Sequence, residues 1–413
     1  MKSKLLACIL CFVLLCGCWD KRELEDHTFV IMLGLDKTRD GNILITAAFP
    51  VAQTESGGAQ DSGQFSVISA QAPTVSQAKS LFGIQLAGPL SLFSTKALVI
   101  SEELARDDML RNLFSSGLYE QLRNNTNVMI SKSGAAEFIS ARIKNPAIDP
   151  LRQEDLLLEQ ANYSGYYRPM QLLDFMAGLR SNNMDAAAMY SGLLQKDKEE
   201  EQSNDKESAG EENNQDQSSD NATEITQPVK SGYLPGQAPI ASENTTQICG
   251  LAVFRGDRMV GALNSFETQT LNMMLNSQTR KVLALPDPFS RDDMIVVSIF
   301  PTQKSRIRAY LVEDTPRFDI NVSLRCTVEH IRKDVNYDQD FLAGYIKQAC
   351  VQNMQSLIEK LQKEFGADLL GLGNRLARNF LTIRQWNAFN WRERYPDAQI
   401  NIHVSLDMER AGI

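Results

Sequence analysis

Phe341-Leu342-Ala343-Gly344-Tyr345-Ile346-Lys347-Gln348-Ala349-Cys350-Val351-Gln352-Asn353-Met354-Gln355-Ser356-Leu357-Ile358-Glu359-Lys360-Leu361-Gln362-Lys363-Glu364-Phe365 is the most strongly periodic stretch of the 413-residue chain. Its apolar side chains at 342, 346, 350, 354, 357, 361 and 365 step by three or four, which puts them on one stripe of an α-helix. Such a helix would run roughly 37 Å. Gly366 follows, a residue able to take the left-handed conformation that ends helices. A stripe this long can face a coiled-coil partner or a sheet. The neighbouring residues favour a sheet, because strands are predicted before it, over 306–312 and 318–328, and after it, over 400–406. A second helix is predicted over about 368–384, leading to Trp386, Trp391 and Pro396.

Upstream, apolar runs at 248–254 and 259–263 flank Arg255-Gly256-Asp257-Arg258 and predict a hairpin, so Arg255-Gly256-Asp257 reads as a tight turn and not as an adhesion motif. Asn264 or Ser265 can cap the helix that follows to about 276, and Pro286 and Pro288 mark a loop before a strand over 294–300. Nearer the start, 28–35 and 42–49 predict another hairpin around Asp40-Gly41. A low-complexity loop and a capping box from Thr74 to Gln77 come next, opening a helix to about 86. A buried strand is expected at 97–100, a short one near Val128, and helices around 108–115, 135–142, 152–159 and 169–179. Strands and helices do not alternate regularly enough for a doubly wound parallel sheet. The expected fold class is α+β and multidomain, with mixed sheets built from hairpins and a long amphipathic helix on the C-terminal sheet.

The N-terminus has a different character. Lys2 and Lys4 precede an apolar run that ends at Leu15-Cys16-Gly17-Cys18. That is a charged region, an apolar region too short for a permanent span, and then a small residue directly before a cysteine. This arrangement predicts a lipoprotein leader over 1–17, cut before Cys18, whose thiol would carry diacylglycerol. Two acyl chains give stable anchoring. Trp19, Lys21 and Arg22 would lie within reach of lipid headgroups, or form a solvated stalk. The expected units are the leader, an N-terminal α+β domain over 18–195, an acidic insert over 196–247, a middle α+β domain over 248–300 and a C-terminal one over 301–413.

The formal charge of −9 is unevenly spread, since Lys196 to Asp220 alone hold ten Asp or Glu against three Lys. A stretch so polar cannot offset its ordering entropy by burial, so it reads as a self-repelling spacer and not as a binding patch. No nucleic-acid footprint is present. Four of the seven cysteines fall in residues 1–18, leaving Cys249, Cys326 and Cys350 in the body. Three thiols make at most one disulfide, which excludes a disulfide-built scaffold.

Several patterns occur together and in order: Cys18-Trp19-Asp20-Lys21-Arg22-Glu23-Leu24, Gly250-Leu251-Ala252-Val253-Phe254 through Val260-Gly261-Ala262-Leu263, Asp368-Leu369-Leu370-Gly371-Leu372-Gly373, and the 386–396 segment. On these the chain resembles the Ger(x)C family, the C-subunit lipoproteins of bacterial spore germinant receptors. The acidic insert is longer than that family's pattern. The resemblance implies a non-catalytic subunit on the outer face of the spore's inner membrane, partnered by two integral-membrane subunits of A and B type. It carries only Cys18 as a defined site.

The only histidines are His27, His330 and His403, and no zinc-protease helix motif, nucleophile elbow or phosphate loop appears. Cys326 and His330 would stand about 13 Å apart on one strand face, too far to share a metal. Gly371 and Gly373 begin a dinucleotide-like fingerprint, but Leu376 replaces its third glycine, so a turn is the better reading. No catalytic residue, cofactor or metal is expected, nor a directly bound small molecule. A transporter's solute-binding lipoprotein is the second reading and predicts two lobes about a cleft. An envelope hydrolase is third and lacks a nucleophile paired with a base.

Overall fold

The computed structural model describes residues 27–51, 65–86, 88–107, 118–144, 149–194, 232–240, 242–275 and 280–409. Cys18, Trp19, Lys21 and Arg22, the expected helix at 108–115 and residues 196–231 of the acidic segment lie outside them.

The first hairpin forms as its alternation predicts. Strands β1 (Met32–Lys37) and β2 (Ile43–Pro50) pair antiparallel about Gly41, whose φ is 76°. A further strand, β3 (Phe65–Ala72), adds to β2 where a loop was expected. It is an edge strand, half-buried along most of its length, so its apolar alternation is faint. Helix α1 (Val75–Phe82) starts at Thr74, whose hydroxyl accepts the Gln77 N–H at 3.3 Å, and stops at Gly83, before the expected 86.

Strands β4 (Ala97–Ser101), β5 (Asn127–Ser131) and β6 (Ala187–Leu193) then line up parallel beside β1. Every residue of β4 is buried, because Leu98 and Ile100 face one core while Ala97 and Val99 face another on the opposite side. The connection from β5 to β6 carries α2 (Ala135–Ile143), α3 (Pro150–Asp155), α4 (Leu157–Ser164) and α5 (Leu172–Arg180). The single helix expected at 152–159 is therefore two, meeting at Leu156. Asp36, at the end of β1, accepts the N–H groups of Ala135 and Ala136 at 2.7 and 2.9 Å, so a strand carboxylate caps α2. Gly34 lets that helix close on the sheet, since a Cβ there would sit 2.9 Å from Ile139.

Strands β7 (Thr246–Arg255) and β8 (Arg258–Leu263) make the predicted hairpin, with Gly256 at φ 64°. They do not open a separate middle unit. β7 pairs with β6 and completes an eight-stranded sheet of order β8-β7-β6-β5-β4-β1-β2-β3. The reason is that β7 is apolar on both faces: Ala252 and Phe254 enter the N-terminal core, Leu251 and Val253 the C-terminal one. Helix α6 (Ser265–Met274) follows, opened by a capping box of Asn264 and Glu267.

The second sheet contains β9 (Lys281–Asp287), β10 (Ser290–Val312), β11 (Thr315–His330) and β12 (Gln399–Glu409) in that order. Only the β11–β12 pair is parallel. Pro286 lies inside β9, where a loop was expected; an edge strand tolerates a proline. The boundary expected at 300 falls within β10.

Helix α7 (Gln339–Glu359) buries Leu342, Ile346, Cys350, Met354 and Leu357 in the core under this sheet, and its last turn widens to a π-helix over Lys360–Phe365 before Gly366 at φ 60°. The helix expected over 368–384 is broken into α8 (Leu372–Leu376), a 3-10 turn at Ala377–Asn379 and α9 (Ile383–Phe389), with α10 (Trp391–Arg394) beyond. Thr382 caps a fresh helix, and Asn390, at φ 50°, ends it. The molecule is α+β, with two mixed sheets each covered by its own helices.

Candidate functional site

The two sheets meet along a seam, and a pair of buried acids holds it. Asp185, just before β6, and Asp368, between the π-turn and α8, are 4% and 1% exposed. Asp185 Oδ2 accepts the Asp368 N–H at 3.0 Å, its Oδ1 accepts the Gly256 N–H at 3.1 Å, and Arg392 Nη2 lies 3.1 Å from the same Oδ1. The Asp185 N–H donates in turn to the Asp368 carbonyl at 3.1 Å.

Asp368 folds its own motif around itself. Its Oδ1 accepts the Leu372 N–H at 3.0 Å, and its Oδ2 accepts the Gly373 N–H at 2.9 Å and Trp391 Nε1–H at 3.1 Å. Burial raises its pKa to about 6; those three hydrogen bonds pull the other way, and Asp185 nearby adds to the rise. Because the folded value exceeds the ordinary 3.8, this group's contribution to stability falls as pH rises from about 4 to about 6.

Around the acids the packing leaves no slack. A Cβ on Gly373 would lie 2.3 Å from the Asn183 carbonyl and 2.4 Å from the Trp391 ring. Trp386 Nε1–H donates to Asn183 Oδ1 at 2.7 Å, and Arg392 donates to the Ser181 carbonyl at 2.7 Å. Gly261 approaches Phe365 so closely that a Cβ would fall 2.4 Å from its ring. The Gly250–Leu263 hairpin, the Asp368–Gly373 motif and the 386–396 segment were read as separate local patterns. The structure brings them to one place, and each supplies a piece that only the seam requires.

The thiols serve no such role. Cys249, Cys326 and Cys350 are free and buried, and burial pushes them up to about 12, 12 and 11, so they stay protonated and unreactive at neutral pH. Cys326 lies in the core, whereas His330 is exposed at the end of the same strand. Gly371 and Gly373 belong to the seam turn. Asp185 and Asp368 were not singled out from sequence, since the partners that bury each of them come from distant parts of the chain.

The body is thus a two-sheet α+β structure joined by buried acids. Known proteins make the class specific. Residues 20–191 match the family described as "Spore germination protein N-terminal domain", and residues 249–412 match "Spore germination B3/ GerAC like, C-terminal". YfkR of Bacillus subtilis (strain 168) is 21% identical over 431 residues, covering 100% of this chain and 98% of its own length. Spore germination protein B3 of the same organism is 20% identical, over 96% and 95% of the two chains. A solved structure of the GerBC protein aligns over 91% of this chain and 96% of its own, at 15% identity and a TM-score of 0.47. The chain belongs to the GerAC-like, or Ger(x)C, family of spore germination proteins.

Proposed function

We propose that this chain is a lipid-anchored, non-catalytic subunit of a nutrient germinant receptor, held by diacylglycerol on Cys18 at the outer face of the spore's inner membrane beside two integral subunits of A and B type. The observation that carries the reading is the junction of leader and family match: the N-terminal family region begins at residue 20, two positions after Cys18 of the Leu15-Cys16-Gly17-Cys18 box. Family membership supplies the germination role, and the leader chemistry supplies the anchor. Among the described residues no helix is long and apolar enough to cross a membrane, so a lipid would be the means of attachment for this part of the chain. Trp19, Lys21 and Arg22 would then meet the headgroups.

Mass spectrometry of the mature N-terminal peptide tests the anchor. A diacylated cysteine at its first position is expected; a bare cysteine or a retained leader overturns it. Affinity capture from solubilised spore membranes tests the assembly, and the expected outcome is co-purification of two integral-membrane germination subunits. Capture of transporter components instead would favour a solute-binding lipoprotein.

A further inference from the structure

Beside the buried acids the seam opens into a cleft of about 700 Å³, within the range of small-molecule sites. Its floor is aliphatic, with Leu251, Leu271 and Leu369 among the lining residues. One wall, from the N-terminal part, carries Arg168 and Asp174; the other, from α8 and the turn after it, carries Arg375 and Arg378. Asp185 also borders the cleft, but its oxygens are already engaged by Gly256, Asp368 and Arg392.

What sets the three arginines apart is that they converge on one cleft. Elsewhere in the described chain, Arg142, Arg280, Arg332 and Arg394 each have a carboxylate within ion-pair distance. None of Arg168, Arg375 and Arg378 has a hydrogen bond or ion pair among the described residues; Asp174 acts on Arg168 only through its field. Arg168 is half-buried, and its surroundings disfavour its charge. A guanidinium has five N–H donors in a fork that matches a carboxylate. Three of them around a cleft with one free carboxylate leave a local excess of positive charge against apolar walls, which an anion with an apolar body would complement.

We infer that this cleft binds a small organic carboxylate, whose charged end is clamped between Arg168 on one wall and Arg375 and Arg378 on the other while its apolar part rests on the leucine floor. Because the clamp draws on segments from both sides of the seam, the bound ligand would tighten it and raise the unfolding temperature. No sequence motif marks the site, since Arg168 and Arg378 are brought together only by the fold. The inference departs from the expectation that no small molecule binds directly, and it does not depend on acylation or on receptor assembly.

Calorimetric titration of the full chain in detergent with 4-methylpentanoate tests it, alongside the neutral 4-methylpentanamide and inorganic phosphate. Saturable binding of the carboxylate is expected, with much weaker binding of the amide and of phosphate. Arg168→Gln and Arg378→Gln should each weaken binding about tenfold or more, the worth of one charge-assisted hydrogen bond, while Arg325→Gln, outside the cleft, leaves it unchanged. Arg378 is exposed, so its variant decides the matter if Arg168→Gln fails to fold. No saturable binding at millimolar carboxylate, equal binding of the amide, or equal binding of phosphate would each overturn the assignment.

Discussion

Asp185 and Asp368, 183 residues apart, are joined in both directions: the Asp368 N–H donates to the Asp185 carboxylate at 3.0 Å and the Asp185 N–H to the Asp368 carbonyl at 3.1 Å. One link is backbone to backbone and does not depend on either side chain. The other depends on the Asp185 side chain, which also holds Gly256 and Arg392. Asp185→Ala therefore leaves two N–H groups without their acceptor and takes the carboxylate from Arg392, which keeps the Ser181 carbonyl. Leaving a buried donor unsatisfied costs about 1–3 kcal/mol, and the losses share one site and do not add in full. A destabilisation of about 2–4 kcal/mol is expected in urea unfolding. A loss below about 1 kcal/mol would mean that the seam does not rest on this carboxylate.

Lys281 gives a pH signature. It is 1% exposed, its Nζ donates to Thr270 Oγ1 at 2.7 Å and lies 3.5 Å from the centre of the Phe266 ring. Burial lowers its pKa from the ordinary 10.5 to about 7, with Cys350 nearby opposing the change. Between those values the unfolded chain holds one proton more than the folded chain, so this residue's contribution to stability rises with pH across that window. Lys281→Met removes the dependence. The variant should gain on the native protein by about 2 kcal/mol more at pH 6 than at pH 9, read from paired denaturation curves. Parallel curves at the two pH values would show that Lys281 is not desolvated.

What could be read from sequence was whatever chain neighbours decide. The α7 stripe, the Gly256 turn and the cap at Asn264, one of the two residues read as able to cap that helix, are local signals, and each forms where it was expected. Three strands were missed: β3 and β9 are sheet edges, where one partner is absent and the period-two pattern weakens, while β6 is central and buried on both faces, so its residues show no alternation. β9 also contains Pro286, a residue that normally argues against a strand. The parallel run β1-β4-β5-β6 is built by long connections that no local window contains. The middle unit expected over 248–300 dissolved for a related reason: a continuous apolar run cannot say which sheet each of its faces will join. The seam was legible only as separate motifs, because nothing near Asp368 in sequence announces Asp185.

Arg142 and Glu154 form an ion pair at 2.5 Å with side chains 3% and 1% exposed, tying α2 to α3. Removing one member strands the other charge away from water. Arg142→Met should therefore cost about 3–5 kcal/mol. The double variant Arg142→Met with Glu154→Leu should recover most of that loss, since no charge then remains to be solvated. Thermal unfolding of the two singles and the double closes the cycle, and a double variant as unstable as the sum of its singles would rule the pairing out as the cause.

Gly261 tests how tightly the hairpin meets the C-terminal helix. It sits on β8, and a methyl group there would fall 2.4 Å from Cε1 and 2.9 Å from Cζ of Phe365, a residue 5% exposed in the core at the end of the π-turn. Neither side has room to move freely, since β8 is fixed by its pairing with β7 and the turn is stopped at Gly366. Gly261→Ala should then destabilise by about 1–3 kcal/mol through overpacking. Phe365→Leu alone should also destabilise, by loss of buried ring surface. Combined, the smaller side chain makes space for the methyl, so the double variant should lose clearly less than the two singles added. Strict additivity in chemical denaturation would place the glycine's importance in its backbone and not in this contact.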